Sequence, residues 1–410
     1  MKKKTVFRRL FSMPWALVLA FGMVVFTTSS YTPHGEKIKL GFIPLTDCAP
    51  LVVAKEMGLF TKYGVDVELS KETSWANVRD KLLNGELQAS HCLFSMPYSV
   101  YTGVGGKAGS EMLITMMLNN NGQAISLSKD FCGEVGFKEF KKVPAAVAEV
   151  AKRKKDITFA MTFPGGTHDL WLRYWLAATG VQQKNVGIIT IPPPQMVANM
   201  RVDNMEGFCV GEPWNGVAVA QNVGFTHVTS QDIWKHHPEK ALVANKTFAT
   251  TRRADLKNVM KAILEACKWL DVPANRKKAA AWLTKPYYVN APLAVIEARL
   301  AGSYDIGCDL GAQKYKDDFM MFHNNGFVNM PRKAHGIFVL AMYKRFNYLN
   351  ASADYKGITE KLVQDELYAE VAKEMGLSLP DDEMKPFTIK LDNYTFDPAN
   401  PEANLRPCAK

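Results

Sequence analysis

The chain has 410 residues, 47 % of them hydrophobic and 22 % charged, which is typical of a globular protein with enough apolar side chains for two packed cores. Its formal net charge is +10, and the N-terminal residues Lys2, Lys3, Lys4, Arg8 and Arg9 stand among no acidic residues. The rest of the chain is mildly basic, which suits small anions and excludes the clustered basic face of a nucleic-acid-binding protein.

The N-terminal segment 1–35 has the features of an export signal. Its apolar run WALVLAFGMVVF, at 15–26, suits the hydrophobic part of a signal peptide and is short for a membrane-spanning helix. FRRLFSM, at 7–13, resembles a twin-arginine export motif, with general secretion as the alternative. We therefore predict that 1–35 is an export signal or an N-terminal anchor. The protein would then be periplasmic, either free or tethered to the membrane through this segment.

Seven cysteines occur at irregular spacing, at positions 48, 92, 132, 209, 267, 308 and 408. No CxxC pair is present, so the sequence supports neither a zinc site nor a redox site, and we predict no metal and no cofactor. In an exported protein we expect some cysteines to form disulfides, for example Cys308 or Cys408, and the sequence leaves the pairing open.

From Lys37 onwards, short apolar strands alternate with helices. The first unit has strands at 37–43, 64–70, 89–94 and within 111–127, with helices at 49–60 and 74–87. A second unit has strands at 156–163, 186–191, 205–210, 224–229 and 240–248, with helices at 168–180, 193–204 and 213–224. This order predicts an α/β fold in which two mostly parallel sheets are flanked by helices.

Two such units predict two lobes with a cleft between them. We place lobe 1 at 36–125 and 245–380, lobe 2 at 126–244, and a proline-rich C-terminal coil at 381–410. Ligands of open α/β sheets bind beyond the carboxyl ends of the strands. The loops at those ends are therefore the candidate binding sites.

The stretch FPGGTHD, at 163–169, is the first of these loops. Gly165 and Gly166 allow a sharp turn and a close approach of the backbone to a ligand. Thr167 is a plausible N-cap of the following helix, whose free N–H groups favour an anion, and His168 adds a further donor. An ordinary strand-to-helix turn with a capping threonine is the alternative.

Other strand ends supply further candidates. PLTDCAPL offers Thr46, CLFSMPYS offers Phe94, and LNNNGQA offers Asn121 and Gln123, whose amides can donate to an oxyanion. CVGEPWN places Gly211 at a strand–helix turn, and HHPEKAL places Lys240 at the start of a strand that returns to the first lobe. A buried lysine there would supply a point charge to an anion, whereas the alternative interpretation is an ordinary lysine exposed on the surface.

Several long motifs occur together and in order, among them KLGFIPLTDCAPLVVAKEMGLFTKYGVDVEL, TFPGGTHDLWLRYWLAA, PPPQMVANM, FCVGEPWN and WKHHPEKA. Over about 37–390 they closely resemble the nitrate- and bicarbonate-binding proteins of bacterial ABC importers. The resemblance implies a two-lobed, type II periplasmic-binding-protein-like fold that closes on a small oxyanion without catalysis. It also implies, as partners, a membrane permease and an ATPase and no nucleic acid.

Carried over onto this chain, the resemblance implies that Thr167 and His168 bind the anion, that Gly211 approaches it through the backbone and that Lys240 neutralises it. Phe94 lies about where the nitrate proteins have a tryptophan, and Asn121 about where they have a glutamine. The bicarbonate proteins use an acidic residue and calcium at the lysine position. Lys240 therefore favours nitrate or nitrite, and we expect Lys240→Ala to abolish binding with little loss of stability.

Three alternatives remain. The departures at Phe94 and Asn121 leave open another solute, such as bicarbonate, cyanate or an organic sulfonate. A cytoplasmic nitrate sensor shares the fold, although the export-like N-terminus argues against it. An enzyme related to pyrimidine-synthesising proteins of thiamin metabolism would need His168 and Cys209 as base and thiol, but nothing orients such a pair and no phosphate-binding loop is present.

Overall fold

Two five-stranded sheets form the framework of the computed structural model, which describes residues 36–154, 156–381, 384–403 and 405. The predicted export segment 1–35 lies outside the described residues. The first sheet has the order β2-β1-β3-β10-β4, with β1 Ile38–Phe42, β2 Val67–Lys71, β3 Ala89–Leu93, β4 Met112–Asn120 and β10 Pro238–Asn245. The second has the order β7-β6-β8-β5-β9, with β5 Gln123–Ser128, β6 Thr158–Met161, β7 Gly187–Thr190, β8 Gly207–Gly211 and β9 Gly224–Thr229.

In each sheet four strands run in one direction and the fifth runs against them. β10 is antiparallel to β3 and β4, and β5 is antiparallel to β8 and β9, whereas the other pairs of neighbours are parallel. The reversed strand is in both cases the first strand after the chain crosses between the sheets, at 121–122 and at 230–237. The predicted two-lobed α/β fold is confirmed. Both crossings lie before the lobe boundaries predicted at 125/126 and 244/245. All of β5 therefore belongs to the second sheet, and all of β10 belongs to the first.

Helices cover both sheets and connect their strands. Their bounds are α1 Ala49–Glu56, α2 Leu59–Lys62, α3 Trp75–Asn84, α4 Met96–Tyr101, α5 Val143–Ala151, α6 Thr167–Thr179, α7 Met196–Arg201, α8 Trp214–Ala220, α9 Ser230–Ile233, α10 Lys246–Thr251, α11 Arg253–Leu270, α12 Pro273–Leu283, α13 Leu293–Leu300, α14 Lys333–Arg345, α15 Tyr355–Leu362 and α16 Asp365–Glu374. Short 3₁₀ turns lie at Thr46–Cys48, Lys129–Phe131, Phe140–Lys142, Gln183–Asn185, Pro193–Gln195 and Asn324–Gly326. None of the helices in the described part of the chain combines the length and the apolar character that crossing a membrane requires.

Helix ends follow the local sequence. Ser74 caps α3, because its side chain accepts a hydrogen bond from the backbone N–H of Asn77. Gly180 ends α6 in the left-handed conformation, with φ of 86°, where a side chain would be strained. Ser74 therefore sets the start of α3 at Trp75. The predicted capping role of Thr167 is wrong, because Gly166 is the N-cap of α6 and Thr167 is its first helical residue.

Part of the segment predicted as a C-terminal coil forms a regular hairpin. Two small hairpins complete the fold, β11 Ser303–Asp305 with β12 Ala312–Lys314, and β13 Phe387–Ile389 with β14 Tyr394–Phe396. Phe387 stacks on Trp234 with ring centroids 4.4 Å apart, and the backbone N–H of Leu391 donates to the carbonyl of Ile233. The segment predicted as coil therefore packs against α9 through a hairpin.

One disulfide joins Cys132 to Cys308, across 176 positions of the sequence. It fastens the segment around β11 to the second sheet, where the backbone N–H of Thr226 in β9 also donates to the carbonyl of Ile306. The expectation that Cys308 is paired is thus met, and Cys408 lies outside the described residues. The thiols of the other described cysteines are buried and free, at positions 48, 92, 209 and 267.

Candidate functional site

A fully buried cluster of charged side chains lies where the first sheet meets the cleft. The Lys240 ammonium is 2.9 Å from Asp47 Oδ2 and also contacts Glu239 Oε1. His91 Nε2 lies 2.7 Å from the other oxygen of Asp47. All of these side chains are 0 % exposed. The charge-assisted hydrogen bonds of this cluster are strong, because burial prevents water from competing for them.

Glu239 and Lys240 are neighbours on β10, although successive strand residues ordinarily point to opposite faces of a sheet. The pairing of β10 with β4 shifts register between Pro238 and Lys240 and again between Lys240 and Ala241. Such bulges re-aim side chains locally. The irregularity at the start of β10 therefore accounts for both charges reaching the same cluster.

The second sheet contributes the opposite wall of the cluster. Gln123, the first residue of β5, donates from Nε2 to Thr167 Oγ1 at 3.1 Å and to Glu239 Oε2. His168 Nε2 lies 3.5 Å from Glu239 Oε1, while its Nδ1 is hydrogen-bonded to Thr162 Oγ1. When the Thr162 hydroxyl donates to Nδ1, the hydrogen on Nε2 points towards the carboxylate. Donors from both lobes thus converge on Glu239.

Burial and mutual attraction set the charge of the cluster. Burial lowers the pKa of Lys240, but the charges of Asp47 and Glu239 outweigh it and leave that pKa raised. Burial likewise opposes ionisation of Asp47, yet Lys240 and His91 bring its pKa down to about 2. Glu239 has a lowered pKa because Lys240 and His168 outweigh its burial.

The histidines of the cluster respond differently. Burial lowers the pKa of His91 and of His168, in each case more than the neighbouring carboxylates raise it. Both imidazoles are therefore neutral near neutral pH, where one ammonium faces two carboxylates. In the described part of the chain, no group of three or more His, Cys, Asp or Glu side chains has an arrangement that could hold a metal ion.

Contacts between the lobes close the site. The backbone N–H of Thr46 donates to the carbonyl of Glu212 at 2.7 Å, and Trp214 Nε1 donates to the carbonyl of Pro44 at 3.1 Å. The Tyr343 hydroxyl bonds to the carbonyls of Ser95 and Gly165 at 3.0 and 2.6 Å. Because the cluster is wholly buried, a solute reaches it only when the lobes part, as in hinge closure around a ligand.

The structure brings five predicted residues together. Thr167, His168 and Lys240 belong to the cluster itself. Gly211 ends β8 beside it, where a Cβ would lie 3.4 Å from Asp47 Oδ2. Thr46 contributes its backbone to closure, and its buried hydroxyl has no hydrogen-bond partner among the described residues.

Two other predicted residues point elsewhere. The Asn121 amide donates to Asp318 Oδ1 at 2.9 Å and to the carbonyl of Phe319 at 3.0 Å, so it secures the crossing between the sheets. The Phe94 ring packs edge-on against Tyr98, with centroids 5.6 Å apart. The Phe94 backbone contacts the cluster, because its N–H donates to the carbonyl of Glu239.

The amide and the aromatic ring of the cluster come from other residues: the sequence names the amide as a possible donor beside Asn121 and misses the ring. The amide in the cluster belongs to Gln123, two positions after Asn121. The aromatic ring belongs to Trp75, whose centroid is 5.8 Å from the Lys240 ammonium and 5.6 Å from the ring of His91. Asp47 stands beside the predicted Thr46, and Glu239 beside the predicted Lys240. The sequence signal for Asp47 and Glu239 was only that each of them is adjacent to a predicted site residue.

Comparison with known proteins agrees with this architecture. Residues 32–284 match the model of the NMT1-like family. The chain is 38 % identical over 389 residues to the nitrate/nitrite binding protein NrtA of Synechococcus elongatus, covering 92 % of this chain and 87 % of that protein. It is also 36 % identical to the nitrate import ATP-binding protein NrtC of Synechocystis sp., covering 89 % of this chain and 54 % of that longer protein.

Among solved structures, the fold matches the crystal structure of the periplasmic nitrate-binding protein NrtA from Synechocystis PCC 6803. The TM-score is 0.85 at 36 % identity, and the match covers 91 % of this chain and 98 % of that one. The chain therefore belongs to the NMT1-like family, in the group of the NrtA nitrate/nitrite binding proteins, and has the two-lobed fold of a periplasmic binding protein.

Proposed function

We propose that this protein captures nitrate or nitrite in the closed cleft between its lobes and delivers the anion to the permease of an ABC importer. One observation carries the proposal. Gln123, His168 and Lys240 converge from both lobes on the carboxylate of Glu239, which is itself a planar oxyanion. Donors arranged around a carboxylate suit nitrate or nitrite, whose oxygens have a similar planar spread.

The chemistry of the cluster also favours binding over catalysis. An ammonium, an amide, an imidazole and the first turn of α6 together supply charge and several N–H donors without a metal. Burial raises the pKa of the Cys209 thiol well above its usual range, so this cysteine is a poor nucleophile. We therefore infer a solute-binding role with no reaction at the site.

Partners and location follow from the same proposal. The similar NrtC protein is named as an ATP-binding component of nitrate import, and the solved NrtA is named as periplasmic. We propose that this chain acts in the periplasm with a permease and an ATPase of that kind. We also propose that segment 1–35 directs export as a twin-arginine-like or general secretory signal, with or without tethering the protein to the membrane.

Calorimetric titration of the chain lacking residues 1–35 tests this function. Nitrate, nitrite and bicarbonate are each titrated with and without calcium, and chloride serves as a spherical monoanion control. We expect nitrate or nitrite to bind without calcium and chloride to be at least about a hundredfold weaker, a difference of about 3 kcal/mol. Calcium-dependent bicarbonate binding, or no binding of any of these anions, would refute the proposal.

A further inference from the structure

Glu239 occupies the position in which the donors of both lobes meet. Its carboxylate accepts from Gln123 Nε2 and Lys240 Nζ and lies 3.5 Å from His168 Nε2. Its backbone is held as well, because its carbonyl accepts a hydrogen bond from the N–H of Phe94. An incoming oxyanion needs the same side-chain donors. Anion binding and the negative charge of Glu239 therefore compete for one set of partners.

The surroundings of Glu239 offer little positive charge to offset a second anion. Titratable or charged groups face it from β10 (Lys240), from the end of the 230–237 crossing (His237), from the 46–48 turn (Asp47), from β3 (His91), from α6 (His168) and from β8 (Cys209). Of these, Lys240 alone carries a permanent positive charge, and Asp47 already pairs with it. The closed cluster therefore has an excess of one negative charge before an anion enters.

Resting on the proposed function, we propose that the cluster takes up one proton with each nitrate or nitrite, and that the Glu239–His168 pair holds this proton. A second uncompensated negative charge in a site sealed from water would be strongly disfavoured. Protonation of the pair removes the excess charge. A protonated Glu239 no longer competes with the anion for hydrogen-bond donors, and its own O–H can donate a hydrogen bond. The proton comes from the solvent before the lobes close.

This coupling has a defined sign. Above the range in which the ligand-free pair binds a proton, the association constant for nitrate should fall about tenfold for each unit rise in pH, because one proton is taken up per anion. Glu239→Gln removes the excess negative charge and keeps the side chain's shape. In this variant we expect proton uptake near zero and, at about pH 8, nitrate affinity at least about tenfold above that of the unsubstituted protein.

The experiment is a calorimetric titration of nitrate in buffers of different ionisation enthalpy, whose heats give the number of protons exchanged directly. Glu370→Gln serves as the matched control, since Glu370 pairs with Arg253 and Lys257 on the exposed face of α16. It should leave both the proton number and the affinity unchanged. The unsubstituted protein alone decides whether a proton is taken up, even when Glu239→Gln does not fold.

The outcomes separate the two proposals. About one proton taken up by the unsubstituted protein, and almost none by Glu239→Gln, would support the coupling. Nitrate binding without proton exchange would overturn the coupling and leave the proposed function standing. Undiminished proton uptake in Glu239→Gln would overturn the assignment to Glu239. Absence of any nitrate or nitrite binding would overturn the proposed function and the coupling with it.

Discussion

Removing the lysine of the buried cluster should cost stability as well as binding. In Lys240→Ala the carboxylates of Asp47 and Glu239 lose the ammonium that lies between them, and both remain fully buried. An uncompensated buried charge destabilises a protein far more than the loss of a surface ion pair. From this geometry we expect a loss of stability, in place of the small change expected from the sequence.

The size of the effect follows from the contacts that remain. Breaking a buried ion pair by removing one partner typically costs about 3–5 kcal/mol. Asp47 keeps His91 and Glu239 keeps Gln123, so the loss should stay within that range although two carboxylates are affected. A stability of about 5–15 kcal/mol is usual for a folded protein, and the variant should therefore remain folded but marginal.

The loss should also depend on pH. In the unsubstituted protein the lowered pKa values of Asp47 and Glu239 contribute stability that is present above their unfolded values and is lost as pH falls. Without Lys240, burial dominates and raises those pKa values, so the ionised carboxylates become a penalty that protonation relieves. The difference in unfolding free energy should thus be largest at about pH 7 and shrink towards about pH 4.

Urea unfolding of both proteins at these two pH values measures the effect. Lys257→Ala is the matched control, because Lys257 pairs with Glu370 and Glu374 on the surface and its loss should change stability little. Adding Glu239→Gln to Lys240→Ala should recover part of the loss at neutral pH. A loss below about 1 kcal/mol at pH 7, or one that grows as pH falls, would refute the picture of a sealed, charge-balanced cluster.

Three further substitutions test the geometry of the cleft by nitrate titration and thermal unfolding. Gln123→Ala removes a donor that lies in the cluster and should weaken nitrate binding at least about tenfold, since a hydrogen bond to a charged group is worth about 1.5–3 kcal/mol. Asn121→Ala removes an amide that bonds outside the cluster, so it should lower the melting temperature and change nitrate affinity less than about threefold. Equal losses of affinity in these two variants would contradict the placement of the two amides. Gly211→Ala introduces a Cβ 3.4 Å from Asp47 Oδ2 and from a methyl of Leu45, and should weaken binding by hindering closure, whereas unchanged affinity would show that the cleft has room there.

The sequence predicted the framework and the parts of the site that carry a local signature. Alternating strands and helices predict the two α/β lobes, and a glycine turn before a helix marks Thr167 and His168. Asn121 was a reasonable choice beside Gln123, because both amides flank the same glycine turn. Its left-handed backbone, with φ of 60°, turns its side chain towards the 318–319 segment, and no local pattern reveals a contact so distant in sequence.

The aromatic residue was missed for a related reason. Phe94 stands at the end of β3, where a ligand contact is expected, but its ring packs against Tyr98 within the first lobe. Trp75 opens α3 without a glycine turn to mark it, and only the folded structure shows that the start of α3 lies over Lys240. Tertiary packing, which no motif encodes, decides which of the two rings faces the charge.

The reversed strands explain why the sequence did not single out Gln123 over Asn121 and why it missed Glu239. Parallel strands bring their carboxyl ends to the cleft, but β5 and β10 run against their neighbours and bring their first residues there, so that Gln123 lies opposite Gly211 and Lys240 opposite Leu93. Both strands start immediately after a crossing between the lobes. Gln123 and Lys240 are consequently attached next to the two crossings, and parting of the lobes should separate Gln123 and His168 from Lys240 and so break up the donor set. Release of the anion and release of its proton should therefore occur in the same opening motion.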